Sequence, residues 1–129
     1  MFLGVSLIYD ILDMEDKHCI DLLNYEGIRT IFTEEQRILK SDKHPELRTD
    51  NFIDRVKKTI TKPEFVYEDY DEKNRYSYYC EEFKINSRVR YTKVMLLKLK
   101  NHYLVITAYR PDFVKERNRT KLLYGKDND

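Results

Sequence analysis

The longest run of apolar and β-branched residues lies over residues 93–110, KVMLLKLKNHYLVITAYR. Its alternation predicts two strands, because runs of this kind separated by turn residues form hairpins. A tight turn at Asn101-His102 places Lys100 opposite Tyr103 on the facing strand. We therefore expect a central β-hairpin, and we expect its register to decide which residues share a face.

In the predicted register, the two faces of the hairpin differ in chemical character. One face is apolar throughout and should pack on helices; its members are Met95, Leu97, Leu99, Leu104, Ile106 and Ala108. The other mixes apolar residues with cations, a hydroxyl and phenols, namely Val94, Leu96, Lys98, Lys100, Tyr103, Val105, Thr107 and Tyr109. The same parity adds Arg88 and Arg90, so we expect an open, basic face. A one-residue slip or a bulge would scramble this sorting.

Two amphipathic helices are predicted before the hairpin. Thr33 and Gln36 are spaced as a capping box, with acids in the first turn, and predict a helix over residues 34–42. Thr49 or Asp50 caps a second helix, which a proline ends. Its apolar stripe should cover the apolar face of the hairpin, and that stripe comprises Phe52, Ile53, Val56 and Ile60.

The other segments complete an α+β architecture. Residues 65–70 and 76–83 alternate as strands, so the sheet should be a four-stranded antiparallel meander with the helices packed on it. Residues 21–25 favour a helix, residues 28–32 favour a short strand, and residues 2–12 fit either element.

The chain length of 129 residues predicts a single domain. Its segments are an N-terminal extension (1–33), two helices (34–63), the antiparallel sheet (64–110) and a basic tail (111–129).

Composition indicates a cytoplasmic protein with no membrane association. Charged residues make up 36% of the chain, the mean hydropathy is −0.73, and no apolar run is long enough for a membrane span. The apolar opening lacks a basic region, so we interpret it as a structured element rather than a signal peptide. Cys19 and Cys80 form no CxxC motif, which favours free thiols in a reducing compartment over a disulfide or a zinc site.

Charge is distributed unevenly along the chain. Residues 84–126 carry twelve Lys and Arg but only two acids, whereas residues 64–82 carry seven acids. A basic segment favours a polyanionic partner, although a solvated surface balanced by the acidic segments would also account for it. Tyrosines lie among the basic residues and offer stacking surfaces for single-stranded nucleic acid; they are Tyr91, Tyr103, Tyr109 and Tyr124.

His44 is the best-placed acid/base candidate. It lies in a junction between the two predicted helices, just before Pro45, whereas His18 and His102 have the contexts of surface residues. The alternative, which the sequence alone favours, is a histidine that satisfies carbonyls at a helix end. No spacing of His, Cys or Asp matches a metal-ligand set, and glycine-rich phosphate loops are lacking, so we expect no cofactor.

Four short motifs occur in a characteristic order. They are Ile31-Phe32-Thr33-Glu34-Glu35-Gln36-Arg37, His44-Pro45-Glu46-Leu47, Thr59-Ile60-Thr61-Lys62-Pro63 and Val105-Ile106-Thr107-Ala108-Tyr109. Together they resemble the phage-type branch of the barnase, EndoU, colicin and RelE-like nucleases, the BECR superfamily, over about residues 28–125. The resemblance implies the RelE-like ribonuclease fold, two helices followed by a four-stranded antiparallel sheet, and metal-independent ribonuclease activity, often of a toxin.

The resemblance places His44 on a family histidine and Thr107 and Tyr109 on the terminal T-x-Y strand. Ile38-Leu39 stands where many relatives carry a further histidine, so the acid/base pair is filled differently or activity is lost. Face sorting and resemblance together give the predicted catalytic residues His44, Arg90, Lys98, Thr107 and Tyr109. The predicted RNA-binding residues are Arg88, Tyr91, Lys93, Lys100, Tyr103, Arg110, Arg117, Arg119 and Lys121.

The function that the resemblance implies, and that these residues suit, is an endoribonuclease acting on single-stranded RNA or tRNA through a cyclic phosphate. An inhibitor or immunity protein is a second candidate partner, because relatives are often toxins. The alternative is a module on a degenerate nuclease fold that binds nucleic acid or a protein without catalysis.

Overall fold

The computed structural model describes residues 17–69, 71–114 and 122–125. The predictions for the apolar opening and for Arg117, Arg119 and Lys121 lie outside these residues. The described strands are β1 (His18–Leu23), β2 (Arg29–Thr33), β3 (Phe65–Glu68), β4 (Arg75–Ile85), β5 (Arg88–Lys98), β6 (Tyr103–Tyr109) and β7 (Leu122–Gly125). The helices are α1 (Glu34–Ser41), a 3₁₀ helix (Pro45–Arg48) and α2 (Asp50–Thr61).

The strands form one seven-stranded mixed sheet in the order β1-β2-β6-β5-β4-β3-β7. Every neighbouring pair is antiparallel except β2 and β6, which run parallel. The predicted fold, N-terminal helices packed on a four-stranded antiparallel sheet, is therefore wrong. The predicted meander is the middle of a larger sheet, because the β1–β2 hairpin precedes the helices and adds to β6, while β7 adds to the edge of β3.

The helix expected over residues 21–25 is also wrong, because these residues end β1 and form a turn. Asn24 Oδ1 accepts hydrogen bonds of 2.9 Å from the N–H groups of Glu26 and Ile28, which closes the turn. Gly27 adopts a φ of +81°, a conformation that glycine reaches without strain. Gly27 therefore belongs to a hairpin turn.

Both helix caps follow the sequence prediction. Thr33 Oγ1 accepts a 3.1 Å hydrogen bond from the Gln36 N–H at the start of α1, and Thr49 Oγ1 accepts one of 3.2 Å from the Phe52 N–H at the start of α2. The Gln36 side chain donates to the Ile106 carbonyl at 2.7 Å and so ties α1 to β6.

The apolar stripe of α2 is buried as predicted, but it covers the opposite face of the hairpin. We call this covered face the inner face, and its core residues on the sheet are Ile20, Phe32, Val66, Tyr78, Val94, Leu96, Tyr103, Val105 and Ala108. We call the other side the outer face. It carries a second, tyrosine-rich cluster made of Phe65, Tyr67, Tyr79 and Val114, with Tyr91 and Leu122 packed against it.

The hairpin register differs from the predicted one in two ways. Lys98, not Lys100, pairs with Tyr103, so four residues rather than two connect the strands. Ile106 forms a bulge, because Leu96 pairs with Val105 while Met95 pairs with Thr107. A bulge reverses the alternation of every residue beyond it. Thr107 and Tyr109 therefore lie on the outer face, whereas Tyr103, Val105 and Lys98 belong to the inner face.

Among the described residues, no helix combines the length and the apolar character needed to cross a membrane.

Candidate active site

His44 lies between α1 and the 3₁₀ helix, where the chain changes direction. Its backbone N–H donates to the Lys40 carbonyl and its own carbonyl accepts from the Leu47 N–H, both at 3.0 Å. Pro45 follows and holds His44 outside the helical region, at φ −126° and ψ 80°. The backbone of His44 is therefore held by hydrogen bonds on both sides of the junction.

The imidazole of His44 lies flat against the ring of Tyr109. The two ring centroids are 4.3 Å apart and the planes differ by 8°, and the His44 side chain makes no capping hydrogen bond to the 3₁₀ helix. The stack on Tyr109 is the contact that the structure gives for this side chain. Tyr109 reaches this position because the Ile106 bulge turns it to the outer face.

Lys93 lies beside Tyr109 on the outer face. The two residues are direct cross-strand partners, and Lys93 is only 1% exposed. Its Nζ is 5.7 Å from the Tyr109 centroid and 5.4 Å from the Tyr79 centroid, within the range of cation–π attraction. Sequence patterning predicted Lys93 as an exposed RNA-binding cation. The structure instead buries Lys93 between two tyrosine rings.

Thr107 precedes Tyr109 by two residues on the same face. It is 8% exposed, and its Oγ1 is buried with no hydrogen-bond partner among the described residues. A buried hydroxyl without a partner is destabilising unless it serves another purpose.

The surroundings of His44 favour its neutral form. Burial lowers the pKa of the imidazole below its ordinary value; Glu46 opposes this shift, and the positive charges of Lys43 and Lys40 reinforce it. A neutral imidazole near pH 7 can accept a proton. The pattern of apolar and polar residues did not single out these two lysines, because they belong to the polar stretch at the end of α1, where charged residues are common.

A hydrogen-bonded network holds the His44 junction against the sheet. The backbone N–H of Arg110 donates to Glu46 Oε2 at 3.0 Å, and the Arg37 Nε donates to the Leu47 carbonyl at 2.6 Å. These contacts join α1, the 3₁₀ helix and the end of β6. Arg110 makes this contact with its backbone N–H, so its guanidinium is left to bind a different residue.

The Arg110 guanidinium is held by Glu82, the bulge residue of β4. Its Nε and Nη2 donate to both carboxylate oxygens at 2.8–3.1 Å, and Thr92 Oγ1 donates to Glu82 Oε1 at 2.9 Å. Burial alone would raise the pKa of Glu82, but these hydrogen bonds outweigh it and the pKa is lowered. Arg110 was predicted to bind RNA; the structure instead gives its side chain a partner within the protein.

The remaining predicted residues do not converge on His44. Lys98 and Tyr103 lie at the opposite end of the sheet, with Tyr103 only 4% exposed, and Lys100 is exposed in the connecting loop. Arg88 is exposed beside the β4–β5 turn, and Tyr91 packs in the outer cluster. Arg90 faces Asp112 at 3.5 Å near the end of β6 where Tyr109 lies. The structure thus brings together His44, Tyr109, Lys93 and Thr107.

Neither cysteine has the environment of a nucleophile. Burial raises the pKa of the Cys19 thiol to about 11, and burial together with the Glu64 carboxylate raises that of Cys80. Both thiols are free. Within the described ranges, no group of three or more His, Cys, Asp or Glu side chains is placed to hold a metal ion.

Comparison of the chain with protein-family models, with curated proteins and with solved structures found no match.

Proposed function

We propose that this protein is a metal-independent endoribonuclease of the cytoplasm that cleaves single-stranded RNA or a tRNA loop. The observation that carries the proposal is the stack of His44 on Tyr109, which holds a neutral imidazole beside a phenol and near several cations. Acid/base groups and positive charge are what cleavage by the ribose hydroxyl requires. The motif resemblance to BECR nucleases and the basic character of residues 84–126 support RNA as the polyanion.

The proposed reaction uses the chain's own side chains. The His44 imidazole removes the proton from a ribose 2′-hydroxyl, and the resulting oxygen attacks the adjacent phosphorus. Lys40 and Lys43 offset the negative charge that builds up on the phosphate. The Tyr109 hydroxyl donates a proton to the 5′-oxygen as its bond to phosphorus breaks. The products are a 2′,3′-cyclic phosphate and a free 5′-hydroxyl.

Incubating the purified protein with total RNA in excess chelator tests this proposal. We expect cleavage, with 2′,3′-cyclic phosphate at the new 3′ ends. RNA that stays intact at high protein concentration would contradict catalysis, and cleavage that needs an added divalent ion would contradict a metal-independent reaction.

The same activity makes the protein a candidate toxin with a protein inhibitor. Induced expression should then arrest growth, and His44→Ala should relieve the arrest. Expression at the same level without any effect on growth would count against toxicity while leaving the reaction itself to the assay on purified protein.

The second candidate function is binding without catalysis, through a protein or nucleic-acid partner. Ile38 and Leu39, which occupy the place of a family histidine, are 65% and 63% exposed on α1. Exposed apolar residues beside a candidate site suit a partner surface. RNA affinity that falls steeply with salt, together with unchanged RNA ends, would favour this function over cleavage.

A further inference from the structure

A cavity of about 230 Å³ lies on the inner face, where β5 ends and β6 begins. Its walls include four tyrosines, a carboxylate and an ammonium group: Tyr25, Tyr76, Tyr78, Tyr103, Glu26 and Lys98. Lys98 is five residues from Lys93 along β5, or about 17 Å at the rise of a strand, and on the opposite face. The cavity is therefore separate from the His44 site.

The tyrosine rings meet at angles that give the cavity both ring faces and ring edges. Tyr76 and Tyr103 have centroids 6.0 Å apart at 56°, and Tyr25 meets Tyr78 edge-on at 5.5 Å and 74°. The Tyr124 ring also packs on Tyr25, with centroids 4.6 Å apart and planes at 43°. Tyr78 and Tyr103 are 1% and 4% exposed, so the stacking surface open to a planar heterocycle comes from the half-buried rings of Tyr25 and Tyr76.

Hydrogen-bonding groups accompany the rings. Asn24 Nδ2 donates to the Tyr78 hydroxyl at 3.1 Å. Burial, and after it the Glu26 carboxylate, raises the pKa of Tyr103. Burial raises the pKa of Tyr25 to about 12 and also raises that of Tyr76, so both phenols remain O–H donors at neutral pH. The cavity can therefore bond to the heteroatoms of a base as well as stack on its ring.

Lys98 supplies a single positive charge at the mouth of the cavity. Its side chain is exposed, while its backbone N–H donates to the Asn74 carbonyl at 2.7 Å and so holds the end of the strand. An ammonium in this position attracts an anion and disfavours a cationic guest. The Glu26 carboxylate in the wall can accept hydrogen bonds from a base, and its charge confines the phosphate of a guest to the Lys98 side of the cavity.

We propose that this cavity binds a nucleotide, with the base against the tyrosine rings and a phosphate on the Lys98 ammonium. The volume lies below the roughly 300 Å³ at which pockets for drug-sized ligands begin, which suits a base and ribose with the phosphate left at the mouth. The nucleotide can be free or can be the end of a single strand. This site does not depend on the proposed ribonuclease activity.

Calorimetric titration of the full-length protein with adenosine 5′-monophosphate tests the proposal. We expect one molecule per chain with saturation below about 1 mM. Adenosine lacks the phosphate and ribose 5-phosphate lacks the base, so each should bind about tenfold more weakly. A trinucleotide with a 5′-phosphate that binds more tightly than the mononucleotide would identify a strand end as the source, and equal affinity would identify the free nucleotide.

Two variants locate the binding. Lys98→Ala should weaken the mononucleotide about tenfold, to the level of adenosine, whereas Lys100→Ala removes the same charge two residues away and should change nothing. Tyr25→Leu should weaken both the mononucleotide and adenosine, with urea unfolding used to confirm that the variant folds.

Three results would overturn the proposal. They are no binding of the mononucleotide at about 1 mM, affinity for ribose 5-phosphate equal to that for the mononucleotide, and equal weakening by Lys98→Ala and Lys100→Ala.

Discussion

The imidazole of His44 lies parallel to the Tyr109 ring at a centroid distance of 4.3 Å, although one residue precedes the 3₁₀ helix and the other ends β6. The contact exists because Pro45 holds the His44 backbone outside the helical region and the Ile106 bulge turns Tyr109 to the outer face. It joins the first half of the chain to the last strand of the central hairpin.

Tyr109→Phe keeps the ring and removes only the hydroxyl. We expect the free energy of unfolding to stay within about 0.5 kcal/mol of wild type, since the stack is retained. RNA cleavage should fall, because the proposed proton donor is lost. Urea unfolding and a cleavage assay on the same preparation measure both quantities.

Tyr109→Ala is the matched variant, because it also removes the stack. The ring is half-buried, so we expect a loss of about 2 kcal/mol, less than for a fully buried aromatic residue. Full cleavage by Tyr109→Phe would remove the hydroxyl from the proposed mechanism.

The lowered pKa of His44 predicts a pH dependence of stability. The unfolded state binds a proton near the ordinary value of 6.5, whereas the folded state binds it only at lower pH. The free energy of unfolding should therefore decrease as the pH falls from 6.5 towards the folded-state pKa. His44→Gln should remove this slope. A slope that is unchanged in His44→Gln would show that another group is responsible.

Glu82 should contribute stability through its hydrogen bonds to Arg110 and Thr92. The Glu82 side chain is 9% exposed and that of Arg110 is 31% exposed, so we expect Glu82→Gln to cost about 1–2 kcal/mol, discounted for the exposure of the arginine. Since the pKa of Glu82 is lowered, the wild-type contribution is present above its ordinary value of 4.5 and is lost as the pH falls through the folded-state pKa. Urea titrations of both proteins at pH 7 and at acid pH measure it, and equal stability at pH 7 would contradict the contribution.

Gly125 permits β7 to pair with β3. Its φ is +108°, and a Cβ at this position would overlap the Glu64 carbonyl oxygen. Gly125→Ala should therefore disrupt this pairing and expose the neighbouring β3 amides to faster hydrogen exchange. Unchanged exchange at Val66 would contradict the close approach.

Local signals were sufficient for α1 and α2 but misled at residues 21–25 and in the sheet. Thr33 and Thr49 cap their helices as predicted, because a cap depends on residues within one turn. The Ile106 bulge leaves no mark in the alternation of apolar residues, and so Thr107 and Tyr109 were placed on the same face as Tyr103 and Val105. The four-residue loop shifts the pairing by two residues and does not change the faces. Strand β1 was missed for a related reason, since its pairing partner β2, and not its own propensity, makes it a strand.

The candidate site could be predicted in part. The position of His44 between two predicted helices, just before Pro45, was enough to single it out. Its contact with Tyr109 brings together two residues that the motif resemblance had placed in the same site. Lys98 was assigned from its position in the strand alternation, which cannot show that it lies at the far end of the sheet. Arg110 was assigned from its charge, which cannot show that it is paired with Glu82.

The most direct test of the account is the rate of RNA cleavage in chelator by His44→Ala compared with His102→Ala. Both variants lose one imidazole, but His102 lies in the β5–β6 loop, at the other end of these strands from the stack. We predict that His44→Ala lowers the rate about a hundredfold or more while His102→Ala cleaves at the wild-type rate. Equal rates in the two folded variants would contradict the assignment of His44 as the base.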